Sequence, residues 1–342
     1  MFKPKYTITN KLLANIKQVN LLILNLNNRR FPKVILFELE KAAREISTFA
    51  STSIEGNPLP LTDVKQILKS QPHNLRESER EVVNYNNVLE RLNRQLQTRA
   101  PSFNLNFILF IQKQVVAKLK PPYQTGKLRK EPVFVNDPIL RKTIYWPPDD
   151  TDVTRLMNEL LYFVNKNKNI LDPLIIAGIF HKQFVIIHPF MDGNGRTARL
   201  ATKILLADMG LNTFNLFSFE NYYNRNVTNY FKKVGVVGDY YEMERIIDFT
   251  SWLEYFTDGI IDELLRVIKL LPHVSISPQT ELTSYHQKIL ETIQKKGFIK
   301  NDDYAQLTDR ARATRNIDFN KLINLGLIKR KGKGRASYYV FS

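Results

Sequence analysis

Apolar residues recur at three- and four-residue steps through most of this chain, a period that argues for packed helices rather than sheets. Val34, Ile35, Leu39, Ala42, Ala43 and Ile46 trace one such stripe, and Gly56-Asn57-Pro58 should stop its helix near Glu55. Further helices are expected over Leu61–Ser70, Ser78–Gln97 and Phe107–Leu119. Pro121-Pro122 then breaks the pattern. Glu131–Val135 and Lys142–Trp146 read as two strands of a hairpin around Asn136-Asp137-Pro138, closed by Pro147-Pro148. Helical spacing resumes at Asp152–Val164, Pro173–Ile187 and Arg196–Met209 and continues to about Leu271. The bulk is mainly α with one hairpin set into it.

Beyond a linker over residues 271–278, helices are expected at Tyr285–Lys296, Asp302–Leu307 and Ala311–Leu325. A basic hairpin follows, with strands Leu327–Lys329 and Ser337–Phe341 and a tip from Lys331 to Arg335. That order resembles a winged helix. Residues 281–342 hold 13 Lys/Arg against 6 Asp/Glu, a net +7 of the +17 carried by all 342 residues. So large an excess favours polyanionic partners. Cysteine is absent, which removes disulfides, thiolate metal sites and thiol nucleophiles, and fits a reducing compartment. No run approaches the roughly 20 apolar residues that span a bilayer, and the N-terminus lacks the features of a signal peptide. The expectation is a cytoplasmic protein without membrane association.

The stretch from His188 to Arg199, HPFMDGNGRTAR, concentrates the chemistry. An apolar helix stops at a proline, a loop carries His188 and Asp192, and a new helix opens at Gly193-Asn194-Gly195. Glycines at a helix start let free backbone N–H groups face an anion. Arg196 and Arg199 share a face of the first turn and can clamp phosphate oxygens. Asp192 offers a hard oxygen suited to Mg²⁺ on a polyphosphate. His188 is the group able to act as a general base near neutral pH.

This stretch resembles the signature of the Fic family at every specified position, His-x-Phe-x-Asp/Glu-Gly-Asn-Gly-Arg-x-x-Arg. The resemblance extends over roughly residues 30–270, with the preceding helix at Ile176–His181, and Gly126, Arg129 and the hairpin as a target-binding flap. It implies a Fic-type helical bundle with a β-hairpin flap, plus a C-terminal winged-helix domain. The expected division is 1–100 for an N-terminal helical region with an inhibitory helix at about 33–57, 101–271 for a catalytic core, and 279–342 for the winged helix. The implied activity is transfer of AMP from ATP to a Ser, Thr or Tyr hydroxyl of a target protein. His188 would then deprotonate the hydroxyl and Asp192 would hold Mg²⁺. Gly193, Asn194, Gly195, Arg196, Thr197, Ala198 and Arg199 would form the nucleotide site. Lys in place of Gly195 would mark the phosphorylating relatives.

Ser51-Thr52-Ser53-Ile54-Glu55-Gly56-Asn57 matches the family's inhibitory pattern. Glu55 would end its helix, where the dipole disfavours an anion, so it should seek a cation; the resemblance names Arg199. Thr143, Ile144 and Tyr145 are the expected flap edge and nearby nucleotide contact, with an insertion around Pro138–Arg141. Tyr230 and Phe231 resemble an adenine-side aromatic pair, and read equally as ordinary core.

Two other readings stand beside AMP transfer: removal of AMP by a hydrolase using Glu55, and a nucleotide-sensing, DNA-binding transcription regulator. The winged helix reads either as a DNA surface or as a protein-contact or homodimer module. His181 is read as a packed or capping residue, and His73, His273 and His286 receive no role.

Overall fold

The computed structural model describes residues 1–29, 33–70, 72–98, 101–136, 142–211, 215–271, 282–332 and 334–341. The expected insertion at 138–141, the turn Asp137-Pro138, most of the linker and His273 lie outside them. In chain order the helices are α1 (Asn10–Asn27), α2 (Lys33–Ile54), α3 (Leu61–Ser70), α4 (Glu77–Thr98) and α5 (Leu105–Val115), followed by strands β1 (Val135–Asn136) and β2 (Thr143–Trp146). Next come α6 (Asp150–Asn167), α7 (Pro173–Ile187), α8 (Asn194–Leu206), α9 (Phe219–Arg225), α10 (Val227–Val234), β3 (Gly238–Asp239), α11 (Tyr240–Met243) and α12 (Thr250–Leu270). The chain ends with α13 (Ser284–Lys296), α14 (Asn301–Ala305), α15 (Arg312–Asn324), β4 (Ile328–Lys331) and β5 (Tyr338–Phe341).

Two compact units divide it: Met1–Ile23 with Ala43–Leu264, and Leu24–Ala42 with Leu265–Ser342. In the first, α7 is apolar nearly all round and correspondingly buried, with Ile176, Ala177, Ile179, Phe180, Phe184 and Ile187 closed to solvent. It packs on α6 and α8, and α8 packs on α5. Gly178 permits the close crossing of α12, because a Cβ there would meet Leu253 Cδ2 at 2.6 Å. Trp252 Nε1 donates to the Gly178 carbonyl at 2.7 Å in the same place.

The hairpin is a three-stranded sheet rather than two strands. β2 lies in the middle, antiparallel to β1 (Val135 opposite Tyr145) and parallel to β3 (Tyr145 opposite Gly238). The first strand is also shorter than the alternation suggests. Pro132 has no N–H to give a ladder, and the Glu131 carbonyl accepts from Arg129 instead. The expected helix through Leu119 ends at Val115, and Lys118 takes a left-handed conformation with φ of 60°.

In the second unit, α13, α14 and α15 close over a core of Ile289, Leu290, Ile293, Tyr304, Phe319 and Leu322, with β4 and β5 pairing antiparallel beside it. Phe319 and Tyr339 stack at 3.9 Å. Among the described residues, no helix is long and apolar enough to cross a membrane.

Candidate active site

The His188–Arg199 stretch bridges the C-terminus of α7 and the N-terminus of α8, as its residue types suggest. Two left-handed residues bracket the loop: His188 (φ 48°) caps α7 and Gly193 (φ 82°) precedes α8. Asn194 closes it from inside. Its side-chain oxygen accepts from the Phe190 N–H at 2.9 Å and its amide donates back to the Phe190 carbonyl at 2.8 Å. From α5, the buried Gln112 accepts from Gly126 N–H at 2.6 Å and donates to the Asp192 carbonyl at 3.2 Å. Arg129 donates from Nε to the His188 carbonyl and from its backbone N–H to the Pro189 carbonyl, both at 2.9 Å. The loop is therefore rigid before any ligand arrives.

His188 is half-buried, and its Nδ1 lies 3.3 Å from the Val185 carbonyl. A carbonyl only accepts, so Nδ1 carries the proton and Nε2 keeps its lone pair. Burial drives the imidazole down to about 4, against a smaller opposing pull from Val185 and the nearby carboxylates. At neutral pH it is an uncharged base. His181, by contrast, is wholly buried between Thr202 Oγ1 at 3.1 Å and Tyr230 OH at 3.0 Å, and desolvation lowers it to about 3. Tyr230 is likewise core, stacked on Tyr223 at 4.6 Å, whereas its neighbour Phe231 is 42% exposed.

Every charged group of the motif is already paired. Asp192 Oδ1 accepts from Arg196 Nη2 at 2.8 Å, and its Oδ2 sits 3.2 Å from Lys120 Nζ. Arg196, 5% exposed, also meets Glu81 of α4 at 2.5 Å. Glu81 in turn accepts from Asn57 Nδ2 at 2.6 Å. Burial raises the Glu81 carboxyl above its ordinary value, while Arg196 and Asn57 pull it back. Thr197 and Ala198 are closed to solvent, with the Thr197 N–H on the Gly193 carbonyl at 2.9 Å.

Arg199 is 1% exposed and reaches Ser51 and Glu55 at the end of α2. Its Nε donates to Ser51 Oγ at 2.7 Å, and its Nη2 to the Ser51 carbonyl at 2.8 Å and to Glu55 Oε1 at 2.7 Å. One turn further, Lys203 Nζ donates to Ser47 Oγ at 2.9 Å. Ser47 and Ser51 of α2, with Glu55 just past its end, thus run antiparallel to Lys203, Arg199 and Gly195 of α8, four residues per rung. The end of α2 is fixed by a Schellman motif: Gly56 is left-handed (φ 90°), its N–H reaches the Ser53 carbonyl and that of Asn57 the Thr52 carbonyl. Glu55 lies over Gly195, so close that a Cβ at 195 would come within 2.2 Å of its Oε1.

A cavity of about 210 Å³ opens beside these groups, lined by Glu55, Glu77, Glu81, Leu119, Asp192 and Arg196. A larger one, about 420 Å³, is lined by residues such as Lys3, Arg155 and Arg245 and includes no residue of the motif. Among the described residues no three His, Asp or Glu converge as a metal site. One carboxylate, Asp192, suits Mg²⁺ that arrives with phosphate oxygens of its own. Tyr145 OH donates to the Ile186 carbonyl at 2.9 Å and ties the sheet to the end of α7. β3 pairs only with Tyr145 and Trp146, so Tyr145 is interior to the sheet, whereas Thr143 and Ile144 face no strand on that side among the described residues; β1 and β3 are the two outer strands.

Glu81, Gln112 and Lys120 are absent from the sequence reading. None carries a signature, since each lies far from the motif in the chain and is brought to it by α4, α5 and the segment that follows α5.

Residues 102–206 match the family model described as the Fic/DOC family. Protein adenylyltransferase Fic of Nematostella vectensis is 31% identical over 166 residues, 47% of this chain and 37% of the relative. That of Aedes aegypti is 27% identical over 223 residues, 58% and 42% respectively. The chain therefore spans less than half the length of these relatives. Among solved structures, a Fic family protein from Desulfovibrio desulfuricans superposes with a TM-score of 0.69 at 20% identity, covering 100% of this chain and 98% of the other. Fic-1 of Caenorhabditis elegans gives 0.60 at 20% identity over 75% and 72%. These likenesses show the fold.

Proposed function

We propose that this chain, which matches the Fic/DOC family model over residues 102–206, transfers AMP from Mg²⁺-bound ATP to a hydroxyl of a target protein, held in check by Glu55. The observation that carries the reading is His188: an uncharged imidazole with Nδ1 engaged and Nε2 free, at the mouth of a preorganised loop leading into a helix N-terminus. In the reaction, the target hydroxyl oxygen bonds to the α-phosphorus and its proton passes to His188 Nε2. The bond between the α-phosphorus and the bridging oxygen breaks, and pyrophosphate leaves. Gly193, Asn194 and Gly195 present the backbone N–H groups of the α8 start to phosphate oxygens. Arg196 and Arg199 offset their charge. Asp192 would hold the Mg²⁺ that accompanies ATP, which supplies further charge neutralisation. The target segment adds to the open edge of the sheet by backbone pairing.

As the groups stand, Arg199 is committed to Ser51 and Glu55, and Arg196 to Asp192 and Glu81. Phosphate must displace carboxylates before it can bind productively. A second reading, removal of AMP with Glu55 orienting water, draws on the 27% exposure of Glu55 and its position in the cavity beside Asp192. Intact mass after incubation with ATP and Mg²⁺ tests both. Glu55→Gly should gain AMP, while Glu55→Gly/His188→Ala and the wild type should gain little. Absence of label on every variant and on added target extract would reject transfer; loss of AMP from a labelled target on incubation with wild type would favour removal.

A further inference from the structure

Nothing in the transfer chemistry uses the second unit, yet its surface has a composition that solubility alone does not require. We propose that this unit binds duplex DNA at A·T-containing sites, with α15 in the major groove and the β4–β5 hairpin on the backbone. The proposal is independent of the transfer reading.

The outer face of α15 is Arg312, Ala313, Asn316, Ile317, Asn320 and Asn324, all exposed. Its one acidic residue, Asp318, is turned into the core, where Tyr304 OH donates to it at 2.8 Å and Arg310 pairs with it. The helix therefore presents amides, a cation and two apolar side chains, with no carboxylate. Ile317 is 65% exposed, so this face carries a bare β-branched side chain among its polar groups. Next to α15, the three residues Lys329, Arg330 and Lys331 of β4 are all exposed cations. The exposed acids of this three-helix region lie elsewhere: Glu291 on α13, Asp302 on α14 and Asp309 in the loop before α15.

That arrangement matches what a major groove offers. Adenine shows an N7 acceptor and an N6 donor, which an Asn amide meets in a bidentate fashion, and the thymine methyl accepts apolar contact. Asn316 is partly committed, because its oxygen accepts from Asn301 Nδ2 at 2.9 Å. Asn320 stands at the middle of the exposed face and is the adenine reader; Ala313 and Ile317 flank it for thymine methyl groups. Arg312, Lys329, Arg330 and Lys331 lie where phosphates would run, so the unit should release about four counterions' worth of charge. At a slope of about −0.9 per phosphate, log affinity against log salt should fall at about −3.6, a loss of about 150-fold between 50 and 200 mM salt.

The test is fluorescence anisotropy of the full chain on labelled A·T-rich and G·C-rich duplexes across that salt range. The expected result is tighter binding to A·T-rich duplex by about tenfold, with the steep salt slope. Asn320→Ala should erase the preference and leave the slope intact. Lys331→Ala should weaken both duplexes and reduce the slope by about one. Both residues are exposed, so neither variant disturbs the core. Failure to bind either duplex overturns the proposal. So does equal affinity for the two duplexes, an A·T preference that survives Asn320→Ala, or equally tight binding to heparin or structured RNA, which would mark a general polyanion surface.

Discussion

Gly195→Ala tests the competition between Glu55 and phosphate without removing a charged group. Its backbone is not among the left-handed glycines, so alanine fits the helix and even favours it. The obstacle is Glu55: an added Cβ would sit 2.2 Å from Oε1 and 3.0 Å from Arg199 Nη1. Carbon–oxygen contacts begin near about 3.3 Å, so the carboxylate must retreat by about 1 Å. Its 2.7 Å bond to Arg199 would stretch beyond hydrogen-bonding range. A hydrogen bond to a charged group contributes about 1.5–3 kcal/mol, so releasing it should raise productive nucleotide binding by about 10- to 150-fold. The assay is the rate of AMP incorporation, by intact mass, for wild type, Gly195→Ala, Glu55→Gly and the double variant. Gly195→Ala should label faster than wild type, and the double variant no faster than Glu55→Gly, because both changes remove the same contact. The reasoning fails if Gly195→Ala labels at the wild-type rate while the double variant matches Glu55→Gly. An inactive double variant would show the Cβ obstructing phosphate itself.

Glu81→Gln should have two opposite effects: Arg196 loses an ion pair, lowering Tm by about 2–8 °C for a loss of about 1–2 kcal/mol, while ATP binds more tightly by calorimetry; weaker ATP binding would mean that Glu81 positions Arg196 instead of competing for it. His181 and His188 stay neutral in the folded protein down to about 3 and 4, whereas unfolded imidazoles protonate near about 6.5. Their contribution is therefore complete above about pH 6.5 and is lost as pH falls toward the folded values. Urea midpoints should fall accordingly, and His181→Gln should flatten that dependence. Tyr145→Phe leaves the buried Ile186 carbonyl without its donor, a loss of about 1–3 kcal/mol; differential scanning calorimetry should register it, and an unchanged Tm would show that the sheet is held by other contacts.

The helices of the first unit were legible because their information is local. Leu61–Ser70 ends where the periodicity ends, and α7 is apolar all round because it is surrounded. The His188–Arg199 loop was legible for another reason: Pro189, Gly193 and Asn194 are chemically constrained in one short window. What could not be read is whatever depends on tertiary distance. β3 is two residues long and acquires its role solely by lying beside Tyr145 and Trp146. That third strand moves Tyr145 from an expected edge into the interior of a sheet, while Thr143 and Ile144 keep a side with no strand partner among the described residues. Tyr230 and Phe231 are adjacent in sequence, but one faces His181 and the other faces solvent, which adjacency cannot decide. Glu81 reaches Arg196 across more than a hundred residues of chain, with no pattern to announce it.

The rungs between α2 and α8 carry a consequence for how restraint is encoded. Each residue of a helix advances about 1.5 Å and turns about 100°. Inserting one residue between Ser51 and Glu55 would leave Ser47 and Ser51 on Lys203 and Arg199, yet swing the carboxylate about a quarter-turn off its target. The glutamate would still be present, at the end of the same helix and before the same Gly56, and the proposed restraint on Arg199 would nonetheless be lost. The Glu55–Arg199 contact is thus written as a length, four residues from the second rung, and a tally of residue types at that helix end would miss its loss.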